Sequence, residues 1–221
     1  GLQFVKGLQG DDPVYLKSVA TAKHYAVHSG PEPIRHEFNA RIGDRDLFET
    51  YLPAFRKLVM EGNVWSVMCA YNQLRDHPAC ANPYLYNILR KEWGFEGYIV
   101  SDCWAISDFY TFQNYSKDAA QASAVAVKAG TDINCGVSYS ALGEAVKRGV
   151  ISETTIDTAV SRLFAARFRL GMFDPDEMVH WAQIPYLANT SGHHNTLARE
   201  AALKSIVLLK NENSILPLSR D

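Results

Sequence analysis

The chain has 221 residues, of which 47% are hydrophobic, and its 22 basic and 24 acidic side chains are interspersed to a formal net charge of −2. This length and composition exclude global disorder and leave room for one large core. No basic stripe favours nucleic acid, no polybasic cluster favours anionic lipid, and no apolar run approaches the roughly 20 residues of a membrane helix, so a neutral small-molecule partner is expected.

The first strong element is Ser18–Val27, which reads as a buried strand opening into a loop rich in Gly, Pro and charge over Ser29–Gly43. A helix follows, capped by Asp44, with Leu47, Tyr51, Phe55, Leu58 and Val59 at helical spacing, a kink expected at Pro53 and an end at Gly62. Val64–Tyr71 is a second apolar strand. Asn82 and Pro83 then open a helix that carries Leu85, Ile88 and Leu89 on one face until Gly94. Tyr98–Ser101 reads as the third strand, Asp118–Ala129 as a helix closed by Gly130, and Thr131–Cys135 as a short fourth strand. Tyr139–Arg148 is helical up to Gly149, and Ser152 opens a long helix whose face runs Ile156, Val160, Leu163, Phe164 and Leu170.

Apolar strands that alternate with helices imply an α/β fold with a parallel sheet covered on both faces, either doubly wound or half of an eightfold barrel. Residues 1–172 form this part. Phe173–His194, with Pro175 and Pro185 and little apolar periodicity, reads as an interdomain linker. After it, a helix over Thr196–Lys204 and a strand over Ser205–Leu209 are expected to begin a second α/β domain at residues 195–221. The lack of an initiator Met and the stop just after a strand-like run suggest that both termini cut through a longer protein.

In either parallel architecture the chemistry sits at the carboxyl ends of the strands. The residues there are Lys23-His24, Tyr71-Asn72, Asp102-Cys103-Trp104 and Asn134-Cys135. A cation, an imidazole, a phenol, a carboxylate and an indole on one rim suit a sugar, whose hydroxyls meet polar groups and whose ring meets aromatic faces; aldolase-like barrels use the same residue types. The four cysteines, Cys69, Cys80, Cys103 and Cys135, form no C-x-x-C pair and lie at no zinc-type His spacing, so no metal is expected. No glycine fingerprint follows a strand, so no nucleotide cofactor is expected either.

Three stretches, Ala22-Lys-His-Tyr25, Val67-Met-Cys-Ala-Tyr-Asn72 and Trp93-Gly-Phe-Glu-Gly-Tyr-Ile-Val-Ser-Asp102, occur in the order and spacing of the family 3 glycoside hydrolases, which the chain resembles over almost its whole length. Lys204–Leu218 resembles the entry to that family's second domain. The resemblance implies the C-terminal half of a (β/α)8-type barrel, a linker over 173–194 and the first elements of an α/β sandwich. It makes Asp102 the nucleophile of a retaining double displacement, Lys23, His24 and Tyr71 groups around the sugar, and Trp104 either a sugar platform or loop packing. The acid/base partner is a Glu supplied by the second domain, so Glu32, Glu37 and Glu96 are not assigned to that role.

The run Lys23-His-Tyr-Ala-Val-His-Ser-Gly30 lacks the Pro, second Gly and Asp of the family's hexosaminidase-like branch, which leaves His28 without a proton-transfer role. Ser101-Asp-Cys103 leans towards β-xylosidase-like members acting on xylo-oligosaccharides, with β-glucosidase or arabinofuranosidase activity as alternatives and a non-catalytic sugar-binding module as a reading of another class. Cys103 and Cys135 close adjacent predicted strands about 4.8 Å apart, within the span of a disulfide, and a bridge between them is predicted, with Cys69–Cys80 as a second. A bridge there would favour a secreted or periplasmic location.

Overall fold

The computed structural model describes residues 1–28 and 30–219. The chain opens with α1 (Leu2–Gln9), β1 (Thr21–Tyr25) and β2 (Asn39–Ala40), and α2 (Asp44–Asp46) runs through a π-helical turn at Leu47–Tyr51 into α3 (Pro53–Met60). β3 (Ser66–Cys69) is followed by the short β4 (Gln73–Leu74) and β5 (His77–Pro78). α4 (Pro83–Asn87) extends through a second π turn, Ile88–Glu92, towards β6 (Tyr98–Ser101). α5 (Ala105–Thr111), α6 (Ala119–Ala129), α7 (Leu142–Lys147) and α8 (Glu153–Arg169) complete the first of two compact units, Gly1–Trp181. The second, Ala182–Asp221, holds α9 (Gly192–Ser205).

The three apolar runs pair as a parallel sheet in the order β1-β3-β6. Val67 lies beside Ala22 on one side and Ile99 on the other, and Cys69 lies beside Tyr25 and Ser101. Tyr25, Val67, Cys69 and Ile99 are fully buried, and the apolar faces of α4 (Leu85) and α6 (Ala122, Ala126) pack into the same core. Gly97 is demanded by this packing: a Cβ there would stand 2.1 Å from the Trp65 carbonyl oxygen. Helix ends follow local chemistry. The Asn82 side chain accepts from the amides of Tyr84 and Leu85, Asp118 from that of Gln121 and Ser152 from that of Thr155. Gly130, at φ 116°, closes α6.

Several expectations change. Asp44 is the first residue of α2 rather than its cap, because its carboxylate accepts from Arg75 Nη2 at 2.6 Å instead of from a helix amide. Pro53 does not kink a continuous helix but starts α3, and the turn before it slips to a five-residue spacing, with Leu52 N donating to Leu47 O. Thr131–Cys135 is reduced to a single parallel bridge, Ile133 to Val100. Side chains replace ladder partners on both sides of it: the Asp132 carboxylate accepts from Ile99 N, and Cys135 N donates to Ser101 Oγ. α5 was not expected, since Trp104 before it is left-handed at φ 69° and offers no side-chain cap.

The linker expected over 173–194 is divided between the two units. Tyr15 Oη donates to Asp174 Oδ2, Trp181 Nε1 donates to the Tyr15 carbonyl, and Val179 is buried, so this stretch is held on the first unit. Within the second unit the expected strand Ser205–Leu209 does not form. Ser205 still belongs to α9, and Leu209 is 91% exposed, with no neighbouring strand among the described residues to complete a ladder.

Candidate active site

Because β1, β3 and β6 are parallel, the residues that end them share one rim, and the pairing of β1 with β3 shifts register between Lys23 and Tyr25, at His24. His24 lies near the end of β1, Tyr71 lies just past β3, and Asp102 directly follows β6. Asp102 is pinned by its own amide, which donates to the Cys69 carbonyl at 3.2 Å. One carboxylate oxygen, Oδ1, accepts from Cys103 N at 2.8 Å, and the other lies 3.3 Å from His24 Nε2. Burial lowers the His24 pKa; the Asp102 charge opposes this, while His28 and Lys23 add to it. A neutral ring can face a carboxylate oxygen only through an N–H, so Nε2 carries the proton.

Lys23, exposed on β1, and His24 line a small cavity of about 270 Å³ together with Val27, His28, Tyr51 and Phe55. The ring of His28, the histidine left without a role, is 4.9 Å from that of His24 and 6.0 Å from that of Tyr71. Tyr71 reaches the nucleophile candidate through its neighbour, since its hydroxyl donates to the Cys103 carbonyl at 2.7 Å. Burial raises the Tyr71 pKa, and the Asp102 charge adds to the rise while Arg35 pulls against it.

Cys103 is held at three points: its amide on Asp102, its carbonyl under Tyr71, and its sulfur in a disulfide to Cys135 with a Cα separation of 4.3 Å. Cys69 and Cys80 form a second disulfide. Trp104 is 53% exposed, and its amide donates to the Cys135 carbonyl. Its indole edge passes over Gly136, where an added Cβ would lie 3.4 Å away.

Three residues that sequence reasoning passed over complete the rim. His36, in the loop after β1, sets Nδ1 2.8 Å from Asp108 Oδ2 on α5 and its ring 4.6 Å from that of Tyr71. Gln113 Nε2 donates to both the Tyr71 carbonyl (2.8 Å) and the His36 carbonyl (3.0 Å). Burial raises the Asp108 pKa, and the hydrogen bond and charge of His36 pull it back. No local motif signals these contacts, because His36 and Asp108 stand 72 residues apart in sequence.

The other carboxylates discussed from sequence lie elsewhere. Glu32 and Glu37 are exposed, with Glu32 paired to Arg35, and exposed Glu96 precedes β6, at the opposite end of that strand from Asp102. Chemically, the rim offers one buried carboxylate with a defined donor on each oxygen, flanked by an imidazole, a cation and an exposed indole. That set can bind a polyhydroxylated ligand and present an oxygen nucleophile to it.

Comparison with known proteins places this geometry. The profile of the "Glycosyl hydrolase family 3 N terminal domain" matches residues 1–166. The chain is 49% identical to a xylan 1,4-β-xylosidase of Xylanibacter ruminicola, over 100% of this chain and 26% of that protein. It superposes with a TM-score of 0.91 on a GH3 exo-β-xylosidase solved with a xylobiose aziridine probe, at 35% identity, covering 100% of this chain and 29% of that one. A β-glucosidase from Erythrobacter marinus matches with a TM-score of 0.84 and 33% identity, over 97% of this chain and 29% of that one. The chain thus spans little more than a quarter of the length of these relatives. Its parallel sheet and surrounding helices are part of a (β/α)8-type barrel domain.

Proposed function

The chain belongs to glycosyl hydrolase family 3, and from that premise we propose that it carries the attacking half of a retaining exo-β-glycosidase that releases terminal xylose from xylo-oligosaccharides. The observation that carries this reading is Asp102 at the carboxyl end of β6, with the Cys103 amide on one oxygen and His24 beside the other. Such a carboxylate is oriented by these two contacts, and among the described residues no Lys or Arg is paired with it. Its free lone pairs attack the anomeric carbon, the glycosidic oxygen leaves with a proton, and water then hydrolyses the resulting glycosyl ester.

Retaining chemistry requires a second carboxyl group about 5 to 5.5 Å away. In this reading it is a Glu of a second domain, and Glu32, Glu37 and Glu96 take no part. The same proposal divides the chain into a partial catalytic barrel over 1–172, a linker over 173–194 whose first residues are anchored on the barrel, and the opening of the second domain over 195–221. Lys23 and His24 hydrogen-bond sugar hydroxyls, the exposed Trp104 indole offers a face to the pyranose, and Tyr71 steadies the loop that carries Asp102.

β-Xylosidase is favoured by the X. ruminicola relative and the probe-bound exo-β-xylosidase; the E. marinus β-glucosidase supports the alternative. The intact natural protein, assayed on aryl β-xyloside and aryl β-glucoside, is expected to prefer the xyloside, and a preference for the glucoside moves the assignment to that alternative. Asp102→Ala is expected to lower kcat by about 10⁴-fold or more. Near-normal turnover in that variant overturns the nucleophile assignment, and an intact protein that binds xylo-oligosaccharide without turnover is a sugar-binding module.

A further inference from the structure

His36 and Asp108 touch no sugar in the reading above, yet their geometry joins them into a directed line of hydrogen bonds. The starting point is the proton on the His36 ring. Arg35 Nε can only donate, and it meets His36 Nε2 at 3.2 Å, so Nε2 is the unprotonated nitrogen. The proton of the neutral ring therefore sits on Nδ1, 2.8 Å from Asp108 Oδ2, whose side chain is only 3% exposed.

The line continues to the active-site rim. The Arg35 guanidinium lies over the Tyr71 ring, 5.3 Å from its centroid and inside cation–π reach, and the edge of His36 meets the same ring. Gln113, just past α5, closes the arrangement by holding the main chain of both His36 and Tyr71. The far side of Arg35 pairs with Glu32, so the guanidinium is held from both ends. At the end of the line the Tyr71 hydroxyl grips the Cys103 carbonyl, one residue from Asp102.

We propose that His36 and Asp108 are positioning residues for the reaction: Asp108 fixes His36 as the Nδ1–H tautomer, and His36, through its unprotonated Nε2, anchors Arg35 against Tyr71 and so sets the loop that presents Asp102. This rests on the reading of Asp102 as nucleophile for its consequence in catalysis, though not for its hydrogen-bond pattern. A packing role needs only the shape of the ring, whereas the positioning role needs an acceptor at Nε2 and a donor at Nδ1. Three substitutions separate the two. His36→Ala removes both shape and polarity, His36→Phe keeps the ring without nitrogens, and His36→Gln supplies a side-chain oxygen in place of Nε2.

In the intact natural protein, His36→Ala and His36→Phe are each expected to lower kcat on an aryl β-xyloside about tenfold with KM changed less than about threefold, the scale of one lost hydrogen bond to a charged group. His36→Gln is expected to recover most of that loss. A Phe variant as active as wild type, or a Gln variant as poor as Phe, overturns the proposal. Nitrogen-15 NMR of the histidine rings without substrate supplies a test that does not depend on turnover: at neutral pH His36 is expected to be protonated at Nδ1 alone, and a ring protonated at Nε2 overturns the proposal. Failure of the nucleophile reading looks different, as turnover that survives Asp102→Ala while the ring pattern is still read directly.

Discussion

Asp102 and Asp132 are equally buried, each 8% exposed, and lie against the same strand, β6, but they are built in opposite ways. Asp132 sits near the start of β6 with a side chain that is fully covered. It accepts from Arg90 and Arg162 at 3.0 Å each and from Ile99 N at 2.8 Å. Burial raises its pKa against all three of these partners. Asp102, at the other end of the strand, has one backbone donor and an imidazole at 3.3 Å whose pKa burial lowers, and among the described residues no Lys or Arg pairs with it. A carboxylate meant to hold structure is enclosed by fixed opposite charge, while one meant to react keeps lone pairs uncommitted.

The largest expected effect that tests this contrast is on stability. Asp132→Ala strands the largely buried Arg90 beside Arg162 and is expected to cost about 3 to 5 kcal/mol in denaturant unfolding of the intact protein. Asp102→Ala, which among the described residues removes no ion pair with a Lys or Arg, is expected to stay within about 1 kcal/mol of wild type. Equal losses would erase the distinction between the two sites.

The disulfides sharpen the contrast at intermediate scale. Breaking Cys103–Cys135 with Cys135→Ala is expected to cost about 2 to 4 kcal/mol of stability. Because Cys103 also carries the amide on Asp102 and the carbonyl under Tyr71, the same change is expected to lower kcat about tenfold. Cys80→Ala breaks the other bridge, whose Cys69 holds Asp102 only through a main-chain carbonyl that the β3–β6 ladder also fixes, and is expected to lower stability with kcat kept within about twofold of wild type. A Cys80 variant that loses as much kcat as the Cys135 variant would contradict this division of labour.

The smallest effect concerns pH. The folded state holds the His24 pKa below its ordinary value of 6.5, so on acidification the unfolded chain takes up a proton first. The stability that goes with a neutral His24 is therefore present above about pH 6.5 and is lost as the pH falls towards the lower folded value. His24→Gln is expected to flatten the stability profile in that window, as measured by denaturant midpoints across pH. An unchanged slope would remove His24 from the pH response.

What was legible in the sequence was whatever local chemistry dictates. Tyr98–Ser101 is apolar enough to be a buried strand, so Asp102 falls at its end without further knowledge, and Asn82-Pro83 announces its helix through a side chain whose oxygen accepts from the first free amides. Less of the detail was visible where distant residues decide. Thr131–Cys135 has strand composition, but Asp132 and Ser101 side chains take over its ladder. The apolar spacing over Leu47–Val59 is helical, yet it carries no sign that Pro53 shifts the turn before it. The run after Ser205 needs a partner strand that no property of its own residues provides. At the rim, Tyr71 and Asp102 follow strand ends and Lys23 and His24 lie near the end of β1, positions that apolar runs mark, whereas the His36–Asp108 pair joins a loop to a helix and leaves no periodic trace.

The measurement that bears most directly on Asp102 is to trap the glycosyl-enzyme. Incubating the intact natural protein with a 2-deoxy-2-fluoro-β-xyloside bearing a good leaving group slows hydrolysis of the ester so that it accumulates, and peptide mapping by mass spectrometry locates it. The label is expected on the carboxylate of Asp102, with none in Asp102→Ala. A label on any other carboxylate would contradict the account.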